Sequence, residues 1–592
     1  MCGIVGYIGK ENCLEKILKG LESLEYRGYD SAGVAYVENN EVKIIKCEGR
    51  IKDLREKVDP KIKSNIGIGH TRWATHGKPS DVNSHPHKVG KITVVHNGII
   101  ENYNELKGGL LDYEFQSETD TEVIAAIIDK MYALKGDMLK VLADLKYLLT
   151  GSYALGILVD GEDKIYAIRK DSPLIIGVSP KGNYIASDVP AILEFTNMYY
   201  LILNDEYAVL DGDDVVIYDR NGNVCPKDLL TFDGSKEAAQ KGGYEHFMLK
   251  EINEQPKVVM DTINPYLDNI NLLDEYKLDQ YEHITIIGCG SAYHVGLVGK
   301  NLLMKYGLVD VDVDIASEYR YTDHIYNKKE LIILISQSGE TADTLAVLRK
   351  AKEEGIDTLA IVNVVGSSIA READNVIYIK AGPEIAVATT KAYMCQLAVL
   401  SIMACYLGIK NKHLKKSILD EYKSLSADME ELIKDDADTK RVANLIYNHK
   451  DIFYIGRKVD YALCMEASLK LKEVSYLHCE AYAAGELKHG TISLVDKKTP
   501  VLSIITDDDI AAKTISNVKE VCSRGALSIV ITNNELEDHD LYKEQILIPK
   551  RIDLIESMLV VVKCQLIAYY TAKLNGCDID KPRNLAKSVT VE

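Results

Sequence analysis

None of the twelve cysteines in this 592-residue chain stands in a CxxC pair or at a Cys/His spacing that suits zinc. Thiols so few and scattered build no disulfide framework, and reduced cysteines of a cytoplasmic protein are expected. A dense run of Lys and Arg is also missing. With a formal net charge of −19 and a pI near 5.3, the chain repels nucleic acid and anionic membranes, and neither is expected as a partner. The opening MCGIVGYIGK has no basic stretch followed by a long apolar run, so no signal peptide is expected. The longest mostly apolar stretch, around 396–408, is shorter than the roughly 18 residues that cross a bilayer, and no membrane segment is expected either. No metal and no cofactor is expected.

What is present is ordinary globular material, 46% hydrophobic and 27% charged, enough for roughly three to five domains. The first 230 or so residues read as strands with a few helices. Ile92 to Val95 and Ala154 to Val159 are short β-branched runs, and Leu14 to Leu24 and Thr121 to Tyr132 have helical spacing. This predicts an α+β layered domain. Asp233 to Gly243 is polar and Gly-rich at its end, and reads as a linker.

Beyond it, short apolar strands alternate with longer helical stretches, which predicts parallel sheets covered by helices. Strands at His283 to Ile287, Leu331 to Ile335 and Thr358 to Val362 have counterparts at Ile452 to Ile455, Val501 to Ile505 and Leu527 to Thr532. Gly288 to Ser336 spans 48 residues and Gly456 to Thr506 spans 50, while Ser336 to Asn363 and Thr506 to Asn533 both span 27. An offset near 170 residues is too long for a solenoid and fits two doubly wound domains in tandem. Ligands are then expected at the carboxyl ends of the strands.

Cys2 follows the initiator Met. Removal of Met1 leaves a thiol and an α-amine on one residue, and an amine of pKa about 8 can act as the base that activates the thiol. His96-Asn97-Gly98 follows an apolar strand, and an Asn amide with a backbone N–H can hold an oxyanion. Asn-Gly is equally a hairpin signal, and spacing alone favours that turn. Arg72, in GHTRWATHG, has the fork to grip a carboxylate. Asp120, in SETDTE, can hold an ammonium or cap the helix that follows.

Leu334 to Thr341, LISQSGET, ends a strand and opens a helix, where backbone N–H groups and three hydroxyls favour phosphate; a Ser-rich capped turn reads the same way. It is no Walker A loop, because no Gly-Lys-Ser/Thr follows. Glu466, Lys470 and Glu473 share one face of a helix, either as a solvated surface cluster or as a stripe lining a cleft. His489 lies sixteen residues beyond Glu473. A proton moved between sugar carbons needs such a carboxylate or imidazole.

The segments CGIVGYIG, YRGYDSAG, GHTRWATHG, NSHPH, HNGIIENY and SETDTE together resemble the N-terminal-nucleophile class of glutamine amidotransferases. KGGYEHFMLKEINEQP, SQSGETADT, LKLKEVSYLHCEAYAAGELKHG and the terminal LAKSVTVE resemble the tandem sugar-isomerase (SIS) domains of glucosamine-6-phosphate synthases. The resemblance implies a multidomain chain: an α+β N-terminal-nucleophile (αββα) glutaminase domain followed by two α/β SIS domains with parallel sheets. The expected boundaries are 1–235 for the glutaminase, 236–270 for a linker and connecting helix, 271–430 for the first SIS domain and 431–592 for the second with its tail.

It further implies that Cys2 attacks glutamine's amide, with Asn97 and Gly98 as the oxyanion hole. Arg72, Trp73, Thr75, His76, His85 and Asp120 would bind glutamine, with Arg27 in a closing loop. Ser291, Ser336, Gln337, Ser338, Thr341, Val387, Thr389 and Ala586 would bind the sugar phosphate. Glu473 would be the base, supported by Lys470, with His489 opening the ring and Lys587 forming a Schiff base. The expected substrates are glutamine and fructose 6-phosphate, and the expected assembly is a homodimer with His489 given in trans.

Two departures stand out. Ser291-Ala292 replaces the family's Thr-Ser after Gly290, which removes one hydroxyl, and Thr389 stands where Ser is usual. The second repeat has Thr506-Asp507-Asp508-Asp509 in place of the Ser-rich loop, and three carboxylates repel phosphate, so one sugar site per pair is expected. Other readings fit the residues less well. Phosphoribosyl pyrophosphate as acceptor would call for an acidic loop after an apolar strand, a fructosamine-phosphate deglycase would not need the front half, and a non-catalytic sensor would have lost Cys2, Glu473 or Lys587.

Overall fold

The computed structural model describes residues 2–25, 28–74, 77–232, 241–326 and 329–590. The chain divides into two units, Met1–Lys236 with Ala586–Glu592, and Glu237–Leu585. Arg27, Thr75 and His76, and positions 233–240 of the expected linker, lie outside the described residues.

In the first unit two sheets stack face to face. One has eight strands and contains Gly3–Gly9 and Ile66–Arg72; the other has six and contains Ile92–Ile100 and Gly151–Val159. Ile4, Ile8, Ile66 and Ile68 from one sheet and Val95, Ala154 and Leu158 from the other form the inter-sheet core. The helix Asp120–Lys135 buries Val123, Ile124 and Ile127 against Ile92 and Val94 on the outer face of the six-stranded sheet. On the other outer face, Cys13–Leu24 lies so close that a Cβ on Gly69 would sit 2.4 Å from Ile17. These are the four layers of an αββα fold.

Strand alternation then decides where the polar residues go. Ile66 and Ile68 point between the sheets, so His70 and Arg72 continue that row. Val95 points between the sheets and Asn97 follows it, while His96 turns outward to the helix and meets Thr121 at 3.0 Å. Asn97 and Gly98 pair with Ala154 and Tyr153 inside a nine-residue strand. The hairpin reading of Asn-Gly is therefore wrong.

The second unit holds two five-stranded sheets. The first runs, in space, Asp310–Ile315, His283–Gly288, Glu330–Ser336, Asp357–Val362, Asn375–Tyr378; the second runs His478–Ala483, Asp451–Gly456, Pro500–Ile505, Leu527–Thr532, Glu544–Leu547. Every neighbouring pair is parallel. Both sheets have the strand order 2-1-3-4-5, whose switch point falls between strands 1 and 3. In the first sheet those strands end at Gly288 and Ser336; in the second, at Gly456 and Ile505.

Two helices, Lys391–Lys410 and Asp553–Leu574, are long and apolar enough to cross a membrane. The sequence reading underestimated the first by placing its apolar stretch at 396–408. Each has 94% of its apolar window buried inside the protein, where it serves as a core helix of the second unit.

Candidate active sites

In the first unit Cys2 lies just ahead of the strand Gly3–Gly9. Its Sγ accepts a hydrogen bond from the Trp73 backbone N–H at 3.3 Å and lies 3.5 Å from the Trp73 carbonyl oxygen. Asp30, from the YRGYDSAG segment, fixes this stretch by accepting from Ala74 N at 3.0 Å. Burial pushes the Cys2 thiol up, while the amino-terminal charge, the Trp73 amide and the Arg72 guanidinium pull it down. An uncharged thiol at rest suits a nucleophile whose base is adjacent.

Asn97 donates its Nδ2 to the Cys2 carbonyl at 3.0 Å, which brings its amide beside the thiol residue. Gly98 has φ +131°, and a Cβ there would lie 2.0 Å from the Ser152 carbonyl oxygen. Only glycine fits that conformation and that approach. Gly98→Ala is expected to lower glutaminase kcat by about 10²-fold through displacement of its N–H. Wild-type kcat in a folded variant would show that this N–H is not needed.

Arg72 is buried and donates from Nη2 to Gly77 O at 3.2 Å. Burial lowers its pKa, and Cys2, Asp120 and Asp30 oppose that. Asp120 is not the helix cap. Thr119 caps Asp120–Lys135 by accepting from Glu122 N, and the Asp120 carboxylate accepts from Ile100 N at 3.0 Å. His85 is buried, stacks on His70 at 4.1 Å and reaches Thr121 Oγ1 at 3.2 Å. Trp73 is half-buried, edge-on to Tyr29.

In the second unit Ser336 ends its strand, and Thr341 is the N-cap of the helix Ala342–Glu353. Ser336 Oγ accepts from Gly339 N at 3.0 Å and lies 2.9 Å from Thr341 Oγ1; Ser338 Oγ accepts from Glu340 N at 3.2 Å. Gln337, Ser338 and Thr341 stay partly exposed. The loop is a hydroxyl-lined turn at the switch point, suited to an anion. Thr389 donates to Glu384 at 2.7 Å, and the Val387 N–H donates to the Asp580 carbonyl at 3.0 Å.

Glu466, Lys470 and Glu473 project from one helix, Val459–Ser475. They are not a solvated surface cluster. Glu466 and Lys470 are each 1% exposed, and Glu473 is partly exposed. Lys470 Nζ donates to Glu473 Oε2 at 2.5 Å and lies 3.6 Å from Glu466. Burial lowers the Lys470 pKa, but the two carboxylates outweigh it and the net shift is upward. Lys470 is thus held as a cation that points at Glu473. Glu466 is anchored from the other SIS repeat, by Ser291 Oγ at 2.9 Å and His294 Nδ1 at 2.9 Å. The Ser291 hydroxyl proton is therefore directed at a carboxylate. His489 is exposed on a short helix, Glu486–His489, and among the described residues it makes no hydrogen bond or ion pair. Ala586 and Lys587 group with the unit that carries Cys2.

Comparison with known proteins agrees with this two-centre layout. Residues 70–194 match the glutamine amidotransferase domain model, and residues 277–406 and 445–572 each match the SIS domain model. The whole chain aligns with the whole of a Clostridium tetani protein at 49% identity and of a Clostridium perfringens protein at 48%. Both are named glutamine–fructose-6-phosphate aminotransferase [isomerizing]. The chain belongs to this aminotransferase family. A solved C-terminal domain of glucosamine-fructose-6-phosphate aminotransferase from Francisella tularensis is 35% identical, with a TM-score of 0.54, and covers 58% of this chain and 99% of its own.

Within this aminotransferase the second SIS repeat differs at its own switch point. Asp460 is buried there and accepts from Thr506 N at 3.0 Å and from the Thr506 hydroxyl. A side-chain carboxylate thus takes the donors at the end of that strand. Burial pushes Asp460 up to about 7, and burial does the same to Glu556, linked to Thr506 through Asn533. A folded-state pKa above the unfolded value of about 3.9 gives stability that is complete at low pH and lost as pH rises towards 7. Relative to the wild type, Asp460→Asn should therefore gain in melting temperature as pH rises from about 4 to about 7. An Asn variant with the unchanged wild-type slope would count against the assignment.

His70, Asp30 and His294 were not singled out from sequence, and Glu466 was read only as part of a helix face, with no role of its own. The first two lie inside motifs that were recognised, GHTRWATHG and YRGYDSAG. Strand alternation would have exposed His70.

Proposed function

We infer that this chain converts fructose 6-phosphate and glutamine into glucosamine 6-phosphate and glutamate, a first step towards amino sugars. Cys2 Sγ adds to the glutamine amide carbonyl, and the oxyanion is held by Asn97 Nδ2 and the Gly98 N–H. The intermediate collapses to a thioester and releases ammonia, and water then frees glutamate. Arg72 takes the substrate carboxylate and Asp120 the ammonium, in a pocket completed by Trp73, His85, Thr75, His76 and Arg27.

At the second centre Ser336, Gln337, Ser338 and Thr341 hold the sugar phosphate, with Ser291, Val387, Thr389 and Ala586 around it. His489 opens the ring and Lys587 holds the open ketose as a Schiff base. Ammonia replaces that amine at C2. Glu473 then takes a proton from C1 and returns it to C2, leaving an aldehyde at C1 and an amine at C2. Lys470 Nζ, which donates to Glu473 Oε2, orients that side chain for the transfer. Ammonia is mostly ammonium at neutral pH, so the reading requires direct transfer between the centres, with Trp73 or the C-terminal tail as the gate. It also takes the protein as a cytoplasmic homodimer, as the resemblance implies.

One observation carries the reading: a chain matched end to end by the family holds both the Cys2–Asn97 contact and the buried Lys470–Glu473 pair. The test is incubation with fructose 6-phosphate and amide-15N glutamine. Hexosamine phosphate carrying the label is expected; glutamate with no labelled hexosamine would defeat it.

A further inference from the structure

We propose that His70 is a positioning residue that fixes which end of the Asn97 amide faces Cys2. The proposal rests on reading Asn97 as an oxyanion donor.

His70 Nε2 lies 2.9 Å from the His96 carbonyl oxygen and 3.1 Å from Asn97 Oδ1. A carbonyl oxygen only accepts, so Nε2 must carry the hydrogen. The Asn97 atom facing that N–H must then also be an acceptor. This places Oδ1 towards His70 and Nδ2 towards Cys2, where Nδ2 donates to the Cys2 carbonyl at 3.0 Å. The flipped amide would set two donors against each other on one side and two acceptors on the other. Both ends of the amide therefore agree on one orientation, and among the described residues the side chain that selects it is His70.

The ring is built to stay in that tautomer. His70 is 0% exposed, and among the described residues no acceptor faces its Nδ1 that would call for a hydrogen there. Burial holds its pKa down at about 3, so it stays neutral across the working range. His85 stacks on it at 4.1 Å and is itself tied to Thr121, which also binds His96. The histidine cluster is thus the scaffold behind the oxyanion donor. It needs no proton transfer of its own.

His70→Phe keeps the ring and removes the donor. It is expected to lower glutaminase kcat by about 10²-fold, the cost of one misplaced oxyanion donor, with glutamine KM within about threefold. His70→Gln, which restores an N–H, should recover about tenfold of that loss. In an Asn97→Ala background His70→Phe should cost nothing further. Losses that multiply in the double variant, or that fall on KM, would overturn the proposal. Full kcat for His70→Phe while Asn97→Ala is impaired would overturn it too and leave the oxyanion reading intact. Full kcat for Asn97→Ala would sink that reading instead. Should His70→Phe not fold, 15N NMR of the histidine rings in the wild-type protein decides. A protonated Nε2 and bare Nδ1 at His70 are expected; the opposite tautomer refutes it.

Discussion

Cys2→Ala will abolish glutamine-dependent synthesis, with a loss of at least about 10³-fold, while ammonia-dependent formation of glucosamine 6-phosphate continues. The size follows from what is removed. The thiol is the group placed to form the thioester, and its Sγ is held by the Trp73 amide at 3.3 Å with the Asn97 amide alongside. Alanine at this half-buried position removes one sulfur atom and leaves Ile4 and the strand Gly3–Gly9 in place, so the fold should survive. External ammonia bypasses the missing step. Product assays with glutamine and with an ammonium salt, run side by side, check both halves. Loss of both activities in a folded variant would contradict two separate chemistries.

Glu473→Gln should show the mirror image. Synthesis from either nitrogen source should drop by about 10²- to 10⁴-fold, the range for a missing general base. Glutamine hydrolysis should persist. Glutamine keeps an acceptor for Lys470 Nζ, now 2.5 Å from the carboxylate, so the buried cation is not stranded. Solvent-proton exchange at C1 of fructose 6-phosphate provides a direct readout, and it should vanish with the carboxylate. Exchange at the wild-type rate would assign the base elsewhere.

Much of this was legible in the residues. The apolar runs ending at Gly288, Ser336, Gly456 and Ile505 predicted the strands that meet at the two switch points. Parallel strands buried on both faces are written as unbroken β-branched runs. The edge strand Asp310–Ile315 escaped because its sequence, DVDVDI, carries a charge at every second residue, as exposed edges do. Asn97-Gly98 misled for a different reason. A dipeptide signal for a turn cannot register that Gly98 is needed for close approach to Ser152 within a strand. The Glu466, Lys470, Glu473 stripe was visible as a helix face, but not its burial. The groups that permit it, Ser291 and His294, lie 175 and 172 residues upstream.

That link has a lineage consequence. Two repeats with the same strand order are the mark of an ancient doubling, and twins can in principle stand in for one another. Here one twin supplies the hydroxyl and imidazole that partner a buried carboxylate of the other. A change at position 291 or 294 takes a partner from Glu466, so the two halves are coupled through this contact.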